Sequence, residues 1–330
     1  MTEFSFIVPV YNRPEEVKEL LDSFPVQAGL YYEVIIVEDG STILCDHIVK
    51  EFERLPVKYH VQKNKGPGPA RNTGASLAVG KWLIFLDSDT LLTDQYFEAL
   101  KQVSQDNELV FFGGPDMAHK SFSVIQRAIS YSMTSFLSTG GIRGSNRSME
   151  KFKPRSFNMG ILKTAFESIG GFSNLRFGED MDLSLRLESA NYKGKLLSNA
   201  AVYHKRRATF KQFFKQVFNS GVARIVLVER HARSIKLVHL LPVGFILFHV
   251  LIGSVSFIYP LGWVFIGFYP VIFLIVSISE NRSLKVGIMS VIAVYVQLFG
   301  YGLGFIKAAF DKYILKKPIK YAYLKTFYEG

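Results

Sequence analysis

Two carboxylates one residue apart, Asp87 and Asp89, close the apolar run Trp82-Leu-Ile-Phe-Leu. At a strand end the chain can turn so that both acids face one small volume. Two hard oxygen ligands there suit Mg2+ or Mn2+, which in turn would hold a diphosphate; capping the next turn is the plainer use. Another acid, Asp39, ends the run Val34-Ile-Ile-Val-Glu38-Asp39-Gly40-Ser41. It suits hydrogen bonds from a base or a ribose, or the N-cap of a helix after Ser41. The stretch Asn64-Lys-Gly66-Pro-Gly68-Pro-Ala70-Arg71-Asn72-Thr-Gly74 is a Gly/Pro loop running into a helix. It offers backbone amides, and Arg71 offers a fork for phosphate. Finally, Glu179, Asp180 and Asp182 follow Gly170-Gly171-Phe172 and Phe177-Gly178. Asp180, near a helix N-terminus, is favoured as the anion and so is free to take a proton; a plain acidic first turn is the structural alternative.

Groups so far apart in the chain need a scaffold that gathers strand ends. Strand-like runs fall at 4–10, 33–37, 57–61, 82–86 and 109–112, and helical stretches follow Arg13, Thr42, Gly68 and Thr93. This alternation predicts a mostly parallel sheet with helices on both faces, whose ligands bind beyond the carboxyl ends of the strands. The segment 140–155 reads as a polar loop near a site, and 114–155, with a helix-like 121–138, as the shaper of an acceptor site.

The 330 residues are 48% apolar, which excludes a disordered chain, and the single cysteine, Cys45, excludes a disulfide scaffold or a Cys-rich zinc module. A net charge of +11 would ordinarily suggest nucleic acid, but its placement argues otherwise. Residues 1–202 carry 22 basic and 24 acidic side chains, 203–236 carry 9 and 1, and 307–330 a net of +4. The excess flanks three uncharged apolar runs, 237–258, 261–278 and 286–306. Each is long enough to cross a hydrocarbon core of about 30 Å. Gly300 and Gly304 form a GxxxG spacing for close helix approach.

Between the body and these runs, Phe210, Phe213, Phe214, Val217, Phe218, Gly221, Val222 and Ile225 recur on one helical face, with Lys211, Lys215 and Arg224 read as lying off it. A basic amphipathic helix beside a membrane suits the headgroup layer; packing on the body is the alternative. The positive-inside rule puts 203–236 in the cytosol, yet three full crossings would leave the basic tail outside, so one run is expected to be interfacial or re-entrant unless the rule fails at the tail. The chain opens on a strand-like run rather than a signal sequence, so the body is expected to be cytosolic.

The order strand–Asp39, loop–Arg71, strand–Asp87-x-Asp89 and Gly178-Glu179-Asp180, with the opening Ile7-Val-Pro-Val-Tyr11-Asn12 and the phrase Ala70-Arg71-Asn72-Thr-Gly74, resembles family 2 glycosyltransferases with the GT-A fold over about residues 4–205. The resemblance implies an α/β, Rossmann-like GT-A catalytic domain at 1–205, a basic amphipathic interfacial helix at 206–236, an all-α transmembrane region of two or three helices at 237–310, and a basic tail at 311–330. By the same resemblance Pro9, Tyr11, Asp39, Arg71 and Asp87 would surround the nucleotide sugar. Asp87 and Asp89 would form the DxD motif, with Asp89 the direct Mg2+ or Mn2+ ligand. Asp180 would be the catalytic base, Glu179 would hold the acceptor, and His204, just past a strand at 200–203, would reach the metal or diphosphate.

Three departures stand out. Glu38 replaces the first acid of the family's usual Asp-Asp-Gly-Ser, Thr90 stands where a further acid often follows DxD, and the Gln-x-x-Arg-Trp motif of processive synthases is absent. The expected protein is a multi-pass enzyme of the cell (inner) membrane with its catalytic domain cytoplasmic. It would be an inverting hexosyltransferase, moving sugar from a nucleotide-sugar donor, expected to be a UDP-sugar, to a hydroxyl of a lipid-linked or glycan acceptor. The setting would be cell-surface polysaccharide or glycolipid biosynthesis, with membrane lipids and no nucleic acid as partners. A polyprenyl-phosphate sugar transferase is the alternative; its acceptor is already ionised and needs no base, so Asp180 favours the hydroxyl. A transporter with a nucleotide-binding regulatory domain is the remote one, because the apolar runs hold few polar residues. The absence of P-loop and GxGxxG patterns argues against an NTPase or a dehydrogenase.

Overall fold

A computed structural model describes residues 2–26, 29–117, 119, 122–140, 153–205 and 207–319. Much of the loop expected at 140–155 and the end of the tail, with Lys320 and Lys325, therefore lie outside the described residues. The described chain divides into two compact units, 2–117 with 153–204, and 119–140 with 205–319.

The first unit is an α/β body. Its order is β1 (Phe4–Val10), α1 (Pro14–Asp22), β2 (Tyr32–Asp39), α2 (Asp46–Glu51), β3 (Val57–Gln62), α3 (Pro67–Leu77), β4 (Trp82–Leu86), β5 (Thr90–Leu92), α4 (Tyr96–Gln105), β6 (Phe111–Gly113) and β7 (Asp116–Met117). The chain then passes through α5 (Val124–Thr134) and α6 (Phe136–Thr139) of the other unit. It returns as β8 (Asn158–Leu162), α7 (Lys163–Ser168), α8 (Glu179–Ser189), β9 (Gly194–Leu196) and β10 (Val202–His204). Local chemistry starts several helices: Pro14 opens α1, and Pro67 opens α3 after Gly66, whose φ of 91° suits glycine.

The main sheet runs β3-β2-β1-β4-β8-β6-β9. Strands β1 to β4 are parallel, and β8 is antiparallel to both its neighbours. Strands β1, β2 and β4 are near-continuous apolar runs because both faces are covered. Phe6, Phe24, Tyr32 and Phe97 pack on one face, and Phe85, Phe166 and Phe172 on the other. Each such ring contributes roughly 1.5–3 kcal/mol of burial. A small second sheet, β5-β10-β7, sets His204 beside Thr90 and Val202 beside Asp116.

The second unit is helical. It holds α5 and α6 with α9 (Phe210–Arg230), α10 (Leu241–Ser256), α11 (Gly262–Asn281) and α12 (Leu284–Ala309). Among the described residues two helices are long and apolar enough to cross a membrane, 262–281 and 284–314, whereas α10 is shorter. The stripe on α9 is used against α12. A Cβ on Gly221 would strike the Tyr301 carbonyl, one on Gly300 the Val217 side chain, and one on Gly304 the Phe218 carbonyl, so the two backbones run side by side in one direction. Lys211 and Lys215 are exposed, but Arg224 is buried. It lies on the packed stripe rather than off it, because it follows Gly221 by three residues and Val217 by seven. Helix α5, from the stretch expected to shape an acceptor site, groups with this unit: Ile129 and Met133 pack with Phe213 and Ala293, and Tyr131 with Phe273 and Leu298.

Candidate active site

The carboxyl ends of β1, β2 and β4 deliver Tyr11, Asp39 and Asp87 to one edge of the sheet. Pro9, half-buried in β1, pairs with Val37, and Tyr11 just beyond is 51% exposed. The loops after β1 and β2 are tied together: Asn12 Oδ1 accepts from the backbone of Thr42 and Ile43, and the Asn12 amide donates to Ser41 Oγ. Glu38 is fully buried and serves the interior. It accepts from Ser41 Oγ, from the amide and thiol of Cys45, and from the Tyr59 hydroxyl.

Asp39 caps no helix. Its carboxylate accepts from Gln62 Nε2 at 2.7 Å and from the amides of Lys65 and Gly66 at 2.9 and 2.8 Å, so it fastens the loop that leads into α3.

The phrase on α3 is then legible residue by residue. Gly74 lies against Ile7 and Val37, where a side chain would collide. Asn72 exchanges hydrogen bonds with the Phe172 backbone, accepting from its N–H and donating to its carbonyl, both at 2.9 Å. This clasp holds the Gly170-Gly171 turn, whose carbonyls at Ile169 and Gly171 also take Arg186 at 2.5 and 2.6 Å. The turn fixes the approach to Gly178, which has φ 79° and precedes α8.

Arg71 turns inward. Only 3% exposed, it donates from Nη2 to Asp87 Oδ1 at 2.5 Å and from Nη1 to Glu179 Oε1 at 3.2 Å, with its guanidinium over the Phe172 ring. Burial opposes its charge, but Asp87 and Glu179 more than offset this and raise its pKa above the ordinary arginine value. Glu179 itself is pushed up to about 7, first by burial and then by the neighbouring Asp180 charge, against the pull of Arg71. Asp180 pairs with Arg155 at 3.2 Å.

Asp87, Asp89 and His204 form a group whose ligand atoms lie within 4.8 Å of one another. His204 Nε2 is 3.2 Å from Asp89 Oδ1, its ring stacks on Phe157 at 4.6 Å, and Nδ1 is 3.9 Å from Asp116 Oδ2. Two carboxylates and one imidazole, one of the acids a third exposed, make a donor set that fits a divalent ion such as Mn2+ with positions left for phosphate oxygens. His204 lies within β10, not past it, and the β10–β5 register brings it alongside the strand that follows Asp89.

Residues 5–170 match the model of the family described as "Glycosyl transferase family 2". The chain belongs to glycosyl transferase family 2. This family 2 chain is 32% identical over 198 residues to an uncharacterised glycosyltransferase of Rickettsia conorii, covering 58% of the chain and 31% of that protein. It is 34% identical over 190 residues to an uncharacterised glycosyltransferase of Haemophilus influenzae, covering 56% of the chain and 61% of that protein. The chain thus spans less than two thirds of the length of either relative. Its fold is that of the mannosyltransferase PcManGT from Pyrobaculum calidifontis, solved in complex with GDP-Man and Mn2+. The TM-score is 0.62 at 14% identity, covering 94% of this chain and 88% of that one.

Three residues of this family 2 member that sequence reading passed over stand at the site. Arg13 reaches Asp89 at 3.7 Å, Asp116 faces His204, and Arg155 holds Asp180. Arg13 had a signal, standing just beyond the end of β1; Asp116 and Arg155 fell within the segment 114–155 read as lying near a site, but nothing singled them out, since their partners are 88 and 25 residues away.

Proposed function

We propose that this chain is an inverting, metal-dependent glycosyltransferase held at a membrane. It would move a sugar from a nucleoside-diphosphate sugar, a UDP-sugar, to a hydroxyl of a lipid-linked or glycan acceptor in cell-surface polysaccharide or glycolipid biosynthesis. The observation that carries the reading is the joining of two acid groups by one buried cation: Arg71 bridges Asp87 of the carboxylate–imidazole group to Glu179 beside Asp180.

Asp89, Asp87 and His204 would hold Mg2+ or Mn2+, with Mn2+ also present beside GDP-Man in the mannosyltransferase of like fold. When bound, the ion supplies positive charge that offsets the charge building on the departing nucleoside diphosphate. Pro9, Tyr11 and Asp39 border the nucleotide at the strand ends, and Arg71 keeps Asp87 aimed. Asp180 accepts the proton of the acceptor hydroxyl as that oxygen attacks the anomeric carbon from the face opposite the leaving group, so configuration inverts. Glu179, whose pKa burial and the Asp180 charge raise above the ordinary carboxylate range, is suited to hydrogen-bond the acceptor.

For the membrane, α11 and α12 are the crossings. Helix α10, of 16 residues, is about 24 Å long and falls short of a core of about 30 Å. Two crossings return the chain to its starting side, which would put Arg230, Arg233 and Lys236, just before α10, on one face with Lys307, Lys312, Lys316 and Lys317, in keeping with the Lys312–Glu229 pair.

The test is a panel of nucleotide sugars screened with Mn2+ for thermal stabilisation of the full chain in detergent. Transfer of labelled sugar is then assayed onto a lipid-linked glycan and onto bare polyprenyl phosphate. Asp180→Asn should lower turnover by about 10²–10⁴-fold while donor stabilisation survives. Near-normal turnover in that variant would remove the base assignment, and transfer onto bare polyprenyl phosphate alone would replace the hydroxyl acceptor.

A further inference from the structure

Three successive residues run antiparallel along one face of α8. Lys153 Nζ pairs with Glu188 at 3.5 Å, the Pro154 carbonyl accepts from Ser184 Oγ at 3.1 Å, and Arg155 Nη1 pairs with Asp180 Oδ2 at 3.2 Å. The three partners are spaced four residues apart, so they stack on one side of the helix. Asn158 at the start of β8 closes the strap by donating its N–H to the Arg155 carbonyl at 2.9 Å. Arg155 is therefore held in place by its neighbours, and it meets α8 at the residue read as the catalytic base.

The charges around Asp180 make this contact consequential. Glu179 is the adjoining acid, and Asp87 lies beyond it across Arg71. Arg71 hydrogen-bonds Asp87 and Glu179 and feels Asp180 only at longer range, and Asp182, two residues on, is neutralised by Arg186 at 2.9 Å. Arg155 is thus the cation paired directly with Asp180. Two adjoining carboxyls near a third cannot all remain ionised cheaply, so the proton goes to whichever is less well compensated.

We propose that Arg155 is a positioning residue that keeps Asp180, rather than Glu179, the ionised member of the pair and so assigns the base role to Asp180. The elevated Glu179 pKa is in keeping with a proton lodged on that side. The inference rests on the reading of Asp180 as base.

The test is the pH profile of kcat at saturating Mn2+ and donor for the wild type, Arg155→Gln and Arg155→Lys, with melting temperatures as the folding control. An arginine beside an aspartate depresses its pKa by about one to three units. Arg155→Gln is therefore expected to move the acid limb up by at least about one pH unit, with kcat at pH 6 falling about tenfold and recovering toward pH 9. Arg155→Lys should keep the limb near its wild-type position, and adding Glu179→Gln to Arg155→Gln should bring it back down. An unshifted limb in Arg155→Gln overturns the proposal. So does an inactive Arg155→Gln enzyme whose loss Arg155→Lys fails to repair. If Asp180→Asn retains turnover, the base reading itself has failed; if only the limb fails to move, the fault lies with Arg155 alone.

Discussion

Arg71 donates to Asp87 Oδ1 at 2.5 Å from a position only 3% exposed to solvent. The fork read in the sequence as a grip for phosphate is spent on two acids of the protein itself. Removing it would leave Asp87 and Glu179 facing each other without a counter-charge. Breaking a buried pair in this way costs about 3–5 kcal/mol. Arg71→Ala is expected to melt several degrees lower than wild type in detergent, at about 2–4 °C per kcal/mol for a unit the size of the α/β body. Arg71→Lys should recover only part of the loss, because a point charge cannot bridge two carboxylates in a fixed fork. Melting curves of the three proteins decide it, and an unchanged Arg71→Ala midpoint would refute the strut.

His204 stacks on the Phe157 ring and faces Asp116 across 3.9 Å, a charge placed to steady the imidazole without a direct hydrogen bond. Outer carboxylates that orient a metal-bound imidazole are typically worth 10–100-fold in metal affinity. Calorimetric titration of Mn2+ in the presence of a nucleoside diphosphate should show that loss in Asp116→Asn and a larger one in His204→Ala. Equal Mn2+ affinity in Asp116→Asn and wild type would leave Asp116 without a role at the ion.

Glu179 gives stability a pH dependence of definite sign. Its pKa is raised from 4.5 to about 7 in the folded chain, so the folded state binds the extra proton between those values. The group's contribution to stability is therefore greatest below about pH 4.5 and is lost as pH rises through about 7, at up to about 1.4 kcal/mol per unit. Glu179→Gln, which keeps an oxygen for Arg71, should flatten this slope. Melting temperatures measured from pH 5 to 8 for both proteins would show it, and parallel curves would count against the raised pKa.

The contact of α9 with α12 depends on the absence of a side chain at Gly304, where a Cβ would press on the Phe218 carbonyl. Gly304→Val should separate the two helices at a cost of about 1–3 kcal/mol, as overpacking does. Gly267, where an added Cβ would meet nothing within 4 Å, is the control: Gly267→Val should be tolerated. Melting temperatures of the two variants in detergent check this, and equal effects would show that the close approach is not needed.

Much of the body was legible from residue order. The runs at Trp82–Leu86 and Phe4–Val10 are apolar without interruption because strands covered on both faces leave no polar side, and that is a local property. Acids that stop such runs mark strand ends, and parallel strands bring their ends to one edge whatever the details. Strand β8 escaped notice because Asn158–Leu162 is short and holds Gly160, which lies against Phe112.

By itself, then, the sequence determined the alternating strands and helices, the acids at their ends, the apolar C-terminal runs and the basic residues around them. These follow from periodicity and composition, which act over a few residues. The tertiary structure decided what those residues do to one another. The β10–β5 register put His204 against Asp89, the α8 strap put Arg155 on Asp180, and the packing of α3 turned Arg71 inward between Asp87 and Glu179. In the helical unit, close backbone approach at Gly300 and Gly304 turned the stripe of α9 onto α12. Each of these depends on which long-range pairing lets buried charges and carbonyls find partners. That free energy belongs to the assembled fold and to no window of the chain.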